Sequence, residues 1–367
     1  MKIKRKIFLK MIVITITVLI ISGFGLLQLP QFGRKASGNR RQRILNSPNF
    51  KNGKFQNLSF TPDLNPKFSY WDIFLLSLKK HKDKYPITKI PFVKTNLFEI
   101  NQLENSIVWF GHSSYLLFFE GKKILVDPVF SGYAAPFSFA INSFAGSNNY
   151  QPADMPEIDL LIITHDHYDH LDYSTITALK PKIKQIVTTL GVGEHLEHWG
   201  IAPNKIVELD WHESHQMADL QIISTPARHF SGRSFSPKTT LWGSFVLSGK
   251  NSKLYLGGDS GYDTHFADIG EKHGPFDLVI LDGGQYNEAW KDIHMTPEQS
   301  AKAAIDLKAK KLLPVHWGKF ALAHHPWYEP VQRVTEACAE KKMAYFTPKI
   351  GEVSDWETQM GGEKWWV

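Results

Sequence analysis

Nine residues, Thr164-His165-Asp166-His167-Tyr168-Asp169-His170-Leu171-Asp172, hold three histidines and three aspartates. They follow the apolar run Leu160-Leu161-Ile162-Ile163, which reads as a strand buried on both faces. His165 and His167 are two apart, so in extended geometry their rings leave the backbone on one side. A turn then suffices to aim Asp169 and His170 at a second nearby point. Imidazole nitrogen with carboxylate oxygen suits zinc and similar divalent ions. The plainer reading is a polar loop capping the next helix, with Asp172 as N-cap. So dense a cluster is costly without a metal, and the stretch reads as a metal site.

Single polar residues recur at the ends of later apolar runs. His229 follows Ile222 to Arg228, Asp259 follows Leu254-Tyr255-Leu256-Gly257-Gly258, and His316 follows Leu312-Leu313-Pro314-Val315. One histidine at a strand end is more often structural than ligating. Their shared position after a strand, in one chain with the 165–170 cluster, makes a candidate set of His165, His167, Asp169, His170, His229, Asp259 and His316.

Strands must carry these residues to one rim. Ser106–Phe110, Tyr115–Glu120 and Ile124–Val129 are apolar runs joined by Gly111-His112-Ser113-Ser114 and Gly121-Lys122-Lys123, hairpin-type connections. Residues 130–157 read as a loop over the site. After the metal strand the pattern gives a helix over 173–179, a strand over 185–189, a helix over 192–199 and a strand over 205–209. The second half repeats that style, with strands over 220–225, 240–247 and 253–256, a helix over 264–272 and a strand over 277–281. A helix capped by Thr296-Pro297 then runs to 308, followed by a strand over 311–315 and a helix over 326–342. No sequence repeat is present; the halves share element order only. Two sheets packed face to face under outer helices satisfy both halves, an α/β fold built as a four-layer αββα sandwich.

Three segments follow: 1–30, 31–104 and a catalytic body over 105–367. Residues 31–104 are poor in regular patterning and read as a linker and a packing arm. Within it, Tyr70 to Lys80 reads as a helix whose apolar face enters the core, in preference to a membrane-contacting patch. Met11–Leu29 is uncharged and almost wholly apolar, long enough to cross a bilayer once. A cleaved signal peptide is the competitor, but the apolar stretch is long for one and no clear A-x-A site follows. The expectation is an uncleaved single-pass anchor with the catalytic body outside the cytoplasm. Residues 1–54 carry twelve lysines and arginines and no acid, against a net charge of +6, so the remainder is mildly acidic. That argues against a nucleic-acid partner and assigns the basic end to the membrane. The single cysteine, Cys338, excludes an intrachain disulfide and a Cys-rich zinc knuckle.

The order His-x-His-x-Asp-His, then His, then Asp within Gly-Gly-Asp-Ser-Gly, then a final His resembles the metallo-β-lactamase superfamily. The flanks Gly111-His112-Ser113-Ser114, Thr164 to Asp172, Ala227-Arg228-His229-Phe230-Ser231-Gly232-Arg233, Gly258-Asp259-Ser260-Gly261-Tyr262 and His316-Trp317-Gly318-Lys319-Phe320 resemble the branch of N-acyl-phosphatidylethanolamine-hydrolysing phospholipase D and its bacterial relatives. The likeness spans roughly residues 105–350. It implies the metallo-β-lactamase fold and two Zn²⁺ per chain, His165, His167 and His229 holding one, Asp169, His170 and His316 the other, with Asp259 bridging and central to catalysis. Such a site attracts an anionic phosphodiester, and the implied attack is by a metal-bound hydroxide. His294 corresponds in order to a histidine near the active site of that branch, a substrate-binding residue or acid, against a structural role at a helix start. Asp166 would orient a ligand or loop. His112 and Arg228 read as buried hydrogen-bonding residues, and His324 and His325 as loop histidines beside the groove. The implied function is a membrane-anchored hydrolase of a phospholipid or other anionic phosphodiester, and a homodimer is left open. A lactonase or other ester hydrolase is the alternative, because the same metals polarise a carbonyl. A non-catalytic membrane-bound zinc or lipid-binding protein is the third reading, against which a complete ligand set weighs.

Overall fold

The computed structural model describes residues 25–100, 105–233 and 236–367. Its arm holds a 3-10 turn at Pro30–Phe32, helix α1 (Gly38–Asn46), the hairpin of β1 (Phe50–Lys51) and β2 (Lys54–Phe55), and helix α2 (Tyr70–Leu78). The first half of the body runs β3 (Ser106–Trp109), β4 (Tyr115–Phe119), β5 (Lys122–Val126), β6 (Ile158–Ile163), α3 (Tyr173–Leu179), β7 (Ile183–Thr189), α4 (Gly193–His198) and β8 (Ile206–Leu209). The second half runs β9 (Ser214–Met217), β10 (Leu220–Thr225), β11 (Ser244–Ser248), β12 (Lys253–Leu256), α5 (His265–His273), β13 (Leu278–Asp282), α6 (Pro297–Asp306), β14 (Leu312–Val315), α7 (Glu329–Lys341) and β15 (Val353–Asp355).

Side-chain alternation along the strands sets the layers. In β6, Leu160 and Ile162 enter the same apolar cluster as Leu278 and Ile280 of β13, which fills the space between the sheets. Their neighbours point the other way. Leu161 and Ile163 pack with Ile176, Leu179 and Leu196 of α3 and α4, while Val279 and Leu281 pack with Phe266 and Ile269 of α5 and the alanines of α6. Both sheets are therefore apolar on both faces, which is why the strands read as continuous runs. Each such side chain withdrawn from water contributes about 2 kcal/mol. The sheets have the orders β15-β3-β4-β5-β6-β7-β8 and β14-β13-β12-β11-β10-β9. This is the αββα sandwich expected from the sequence.

Strands β5 to β8 are parallel, as are β12 to β14. Chains leaving their carboxyl ends gather at one edge, where open α/β folds bind ligands. The strand expected over 240–247 begins only at Ser244. Thr240 turns aside to donate its hydroxyl to Asp166, and Gly243 donates its N–H to the Thr164 carbonyl.

Two expectations are corrected. Helix α2 forms, closed at its start by a Ser69–Asp72 capping box, but none of its residues is buried, so it is not core. The single-pass anchor, with the body held outside the cytoplasm, is overturned: among the described residues no helix is long and apolar enough to cross a membrane. Much of Met11–Leu29 lies outside the described residues. Its described end turns at Gly25–Leu29 and enters the Pro30–Phe32 turn, because proline cannot continue a helix.

The arm is richer in structure than its composition suggested. Arg40 on α1 meets Glu194, Glu197 and Glu208 together, clamping the arm to α4 and β8. Ile44, Phe50 and Phe55 join Trp211 and Trp242 in their own apolar cluster.

Candidate metal centre

The loop after β6 brings four of the seven candidates to the sheet edge, and strands β10, β12 and β14 deliver the rest. The ligating atoms fall into three groups. His165, His167, His229 and Asp259 form one, Asp169, His170 and His316, joined by His112, form another, and Asp259, Asp282, His294 and His316 form a third that shares a member with each. Within the first, His167 Nδ1 lies 3.0 Å from His165 Nε2 and 3.2 Å from His229 Nε2. Within the second, His316 Nε2 lies 3.3 Å from Asp169 Oδ2. Asp259 sits between them, with Oδ1 3.2 Å from His170 Nε2 and Oδ2 3.2 Å from His316 Nε2, 3.7 Å from His229 Nε2 and 3.8 Å from His165 Nε2.

Proton placement tests whether these atoms suit a cation. Thr164 Oγ1 donates to Asp127 Oδ2 at 2.6 Å, so it accepts from His165 Nδ1 at 3.0 Å. His170 Nδ1 donates to Asp127 Oδ2 (2.8 Å), His316 Nδ1 to Asp282 Oδ1 (3.1 Å) and His229 Nδ1 to the Ile293 carbonyl (2.9 Å). With Nδ1 carrying the proton, all four rings turn an Nε2 lone pair inward, as ligands require. Inward lone pairs on His170 Nε2 and His316 Nε2 meet the Asp259 carboxylate at 3.2 Å, a repulsion in a buried site that a cation relieves. The same spacing is near the edge of a tetrahedral zinc shell, where ligands lie about 3.3 Å apart. The buried atoms His170 Nε2 and Asp259 Oδ1 have no hydrogen-bond partner. The donor set fits a pair of divalent ions.

Electrostatics agree. Burial, reinforced by neighbouring imidazoles, holds His165 and His229 well below the ordinary histidine range, in the neutral form. Burial also disfavours charge on His316, but the Asp259 and Asp282 carboxylates outweigh it and push it up to about 10. The carboxylates thus gather positive charge, and a metal entering such a site displaces protons.

Backbone geometry holds the ligands in place. Gly258 has φ +57°, and a Cβ there would lie 2.9 Å from the Gly243 carbonyl oxygen and 3.0 Å from Thr164 Cβ, so Asp259 reaches the centre only behind a glycine. His112, Asp127, Gln285 and His316 adopt positive φ without being glycine. Each costs about 1–2 kcal/mol, and such strain clusters at functional sites.

The remaining candidates take distinct places. His294 Nδ1 is 2.7 Å from Asp282 Oδ2, and its ring stacks on that of His316 and lines the cavity. Asp166 faces away from the ligand atoms: it accepts from Gly232 N–H, Thr240 Oγ1 and His195 Nε2, tying the metal loop to two others. His195 in turn accepts from the Arg34 N–H at Nδ1. The buried Arg233 donates to the Asp166 and Leu171 carbonyls and to that of Gln31. His112 is buried and lies 2.9 Å from Asp169 Oδ2. Burial lowers its ring to about 4, so it is neutral and donates through Nε2. Asp172 does cap α3, accepting from Ser174 N–H. Arg228 reaches the Thr61 hydroxyl and Asp292. Neither His324 nor His325 lines the cavity; His325 is buried and accepts from the Gln285 N–H.

Above the ligands lies a cavity of about 300 Å³ whose walls include Tyr70, Ile73, Phe230, Trp290, Ile293 and Leu322. The loop over 130–157 was expected to cover the site, yet none of its residues lines this cavity. Its Phe130, Phe144 and Tyr150 are buried in the cores instead. Sequence reasoning also missed Asp127, Asp282 and the rim residues of the arm. Asp127 and Asp282 had a readable signal, since each is a single acid at the end of an apolar strand, as Asp259 is.

Comparison with known proteins agrees with this geometry. The family described as the beta-lactamase superfamily domain matches residues 122–317. The chain belongs to the metallo-β-lactamase superfamily and is a metal-dependent hydrolase of that group. Within it, the chain resembles the N-acyl-phosphatidylethanolamine-hydrolysing phospholipases D. It is 33% identical over 273 residues, 68% of this chain and 74% of the relative, to N-acyl-phosphatidylethanolamine-hydrolyzing phospholipase D 1 of Caenorhabditis elegans. An uncharacterised protein of Mycobacterium tuberculosis is 40% identical over 329 residues, 87% of each chain. The isothiocyanate hydrolase from Delia radicum gut bacteria shares the fold, with a TM-score of 0.54 at 19% identity over 68% of this chain and 98% of that one.

Proposed function

We propose that the protein is a dizinc phosphodiesterase of the phospholipase D type, acting on an N-acyl-phosphatidylethanolamine-like lipid. The observation that carries this reading is a cluster of seven candidate ligands, five of which (His167, Asp169, His229, Asp259 and His316) line a cavity walled by aromatic and aliphatic side chains, the shape an acylated headgroup would enter. His165, His167 and His229 would hold one zinc and Asp169, His170 and His316 the other, with Asp259 shared. Zinc held there would lower the pKa of a bound water toward neutrality and would draw charge from the phosphoryl oxygens. Asp259 and Asp169 keep the floor from becoming too cationic for product to leave. Asp127 and Asp282 hold the ring orientation of His170 and His316. His294, steadied at Nδ1 by Asp282, offers Nε2 to protonate the departing alcohol.

A second reading, a lactonase or other ester hydrolase, is favoured by one observation: among the described residues no lysine or arginine lines the cavity. A phosphodiester would rely on the metals alone for charge. Purified, zinc-loaded protein given N-acyl-phosphatidylethanolamine should release phosphatidic acid. Turnover of lactones with no release of phosphatidic acid would replace the first reading with the second.

A further inference from the structure

Helix α2 is apolar around its circumference, with only Asp72 and Ser77 polar among nine residues. Trp71 and Leu78 are each 65% exposed and Phe74 48%. A helix of this composition normally lies inside a protein or a membrane. Its placement is nonetheless fixed. Before it, Asn65 donates hydrogen bonds to the Ala289 and Glu288 carbonyls, and after it the Asp83 carbonyl accepts from Trp327 N–H. Tyr70 and Ile73 line the mouth of the metal cavity. The exposed apolar surface is therefore continuous with the catalytic entrance.

Charge names the partner. Immediately after α2 come Lys79-Lys80-His81-Lys82-Asp83-Lys84, four lysines against one aspartate, with Lys79, Lys80 and Lys82 exposed. Aromatic and aliphatic side chains beside a lysine cluster match an anionic bilayer surface, the rings entering the headgroup layer and the ammonium groups meeting lipid phosphate. We propose that α2 and the lysines following it form a docking surface for an anionic lipid bilayer, holding the cavity mouth against it. The contact is peripheral. It goes beyond the substrate reading, since it is measured without turnover and holds for any substrate taken from a membrane.

The test places a polarity-sensitive nitrobenzoxadiazole probe on Phe74→Cys in the full chain. Cys338 is buried and its thiol is pushed up to about 12 by that burial, so labelling falls on residue 74. On vesicles of phosphatidylcholine with an equal part of phosphatidylglycerol, the emission should rise and shift to the blue. Phosphatidylcholine alone should give little change. A probe on Glu340→Cys, exposed on α7, should stay in water throughout. Neutralising Lys79, Lys80 and Lys82 to glutamine should weaken vesicle affinity about a hundredfold, at roughly a fivefold loss per charge. A probe at 74 that stays aqueous while the protein sediments with the vesicles overturns the proposal, because another segment then makes the contact. A probe already shielded in vesicle-free solution, together with a dimer mass, also overturns it and assigns the face to a second copy of the chain.

Discussion

In the metal-candidate cluster beneath the cavity His165, His170, His229 and His316 are each fixed from behind by a hydrogen bond to an oxygen, and all are buried. On the rim, α2 buries none of its nine residues and is tethered through the segments on either side of it. One cavity thus joins a polar network with little freedom to an apolar surface with much. Buried polar networks fix geometry at high cost if broken, whereas a surface element opens and closes locally with small free-energy changes. Chemistry and substrate capture are in this way assigned to regions of unequal stability.

Breaking the floor should have the largest effects. Asp259→Asn should bring hydrolysis to background and lower zinc, read by elemental analysis, from about two ions per chain, the number two four-ligand shells require. Unchanged activity would remove Asp259 from the centre. His294→Gln should slow release of an alkyl alcohol by about a hundredfold, the usual worth of a general acid, yet hardly alter a p-nitrophenyl phosphodiester, whose leaving group needs no proton. Equal losses on both would make His294 structural. Asp127→Asn should cost about 10–100-fold in zinc affinity, measured by competition with a chelator, since it removes the carboxylate orienting His170.

The rim should respond more weakly and differently. Ile73→Ser should raise KM for a lipid substrate about tenfold, the worth of one apolar contact, with kcat on a small soluble diester unchanged. A fall in kcat would mean that the arm shapes the floor. The smallest effect lies outside both regions. Burial holds His265 of α5 at about 4, below its unfolded value near 6.5. Between these values the unfolded chain takes a proton that the fold refuses, so stability should fall as pH drops through 6.5 toward 4. The thermal midpoint of the wild type should therefore decline more steeply than that of His265→Gln from pH 7 to pH 5.

The floor was legible in the sequence to an unusual degree, and the rim was not. The 165–170 cluster and the strand-end positions of His229, Asp259 and His316 announce themselves because ligand chemistry demands particular residue types. The two sheets were readable because strands buried on both faces give continuous apolar runs. Asp127 and Asp282 escaped notice although each ends an apolar strand as Asp259 does, because neither stands in a histidine-bearing motif. Helix α2 was read as core because its composition is that of a core helix; composition does not say on which side of the surface a segment lies. The 130–157 segment was assigned to the cavity on loop character alone, while its aromatics mark it as packing.

The contact between the arm and the metal loop bears on how the molecule assembles. Gln31 and Arg34 meet Arg233 and His195, and through them Asp166, although Arg34 and His195 are 161 positions apart. A ribosome releases Gln31 and Arg34 long before either partner, so this strap can dock only after the chain has been made at least as far as Arg233. A proteolytic nick near residue 36 would free Arg34 from His195 and Gln31 from Arg233, loosening two of the residues that in turn hold Asp166.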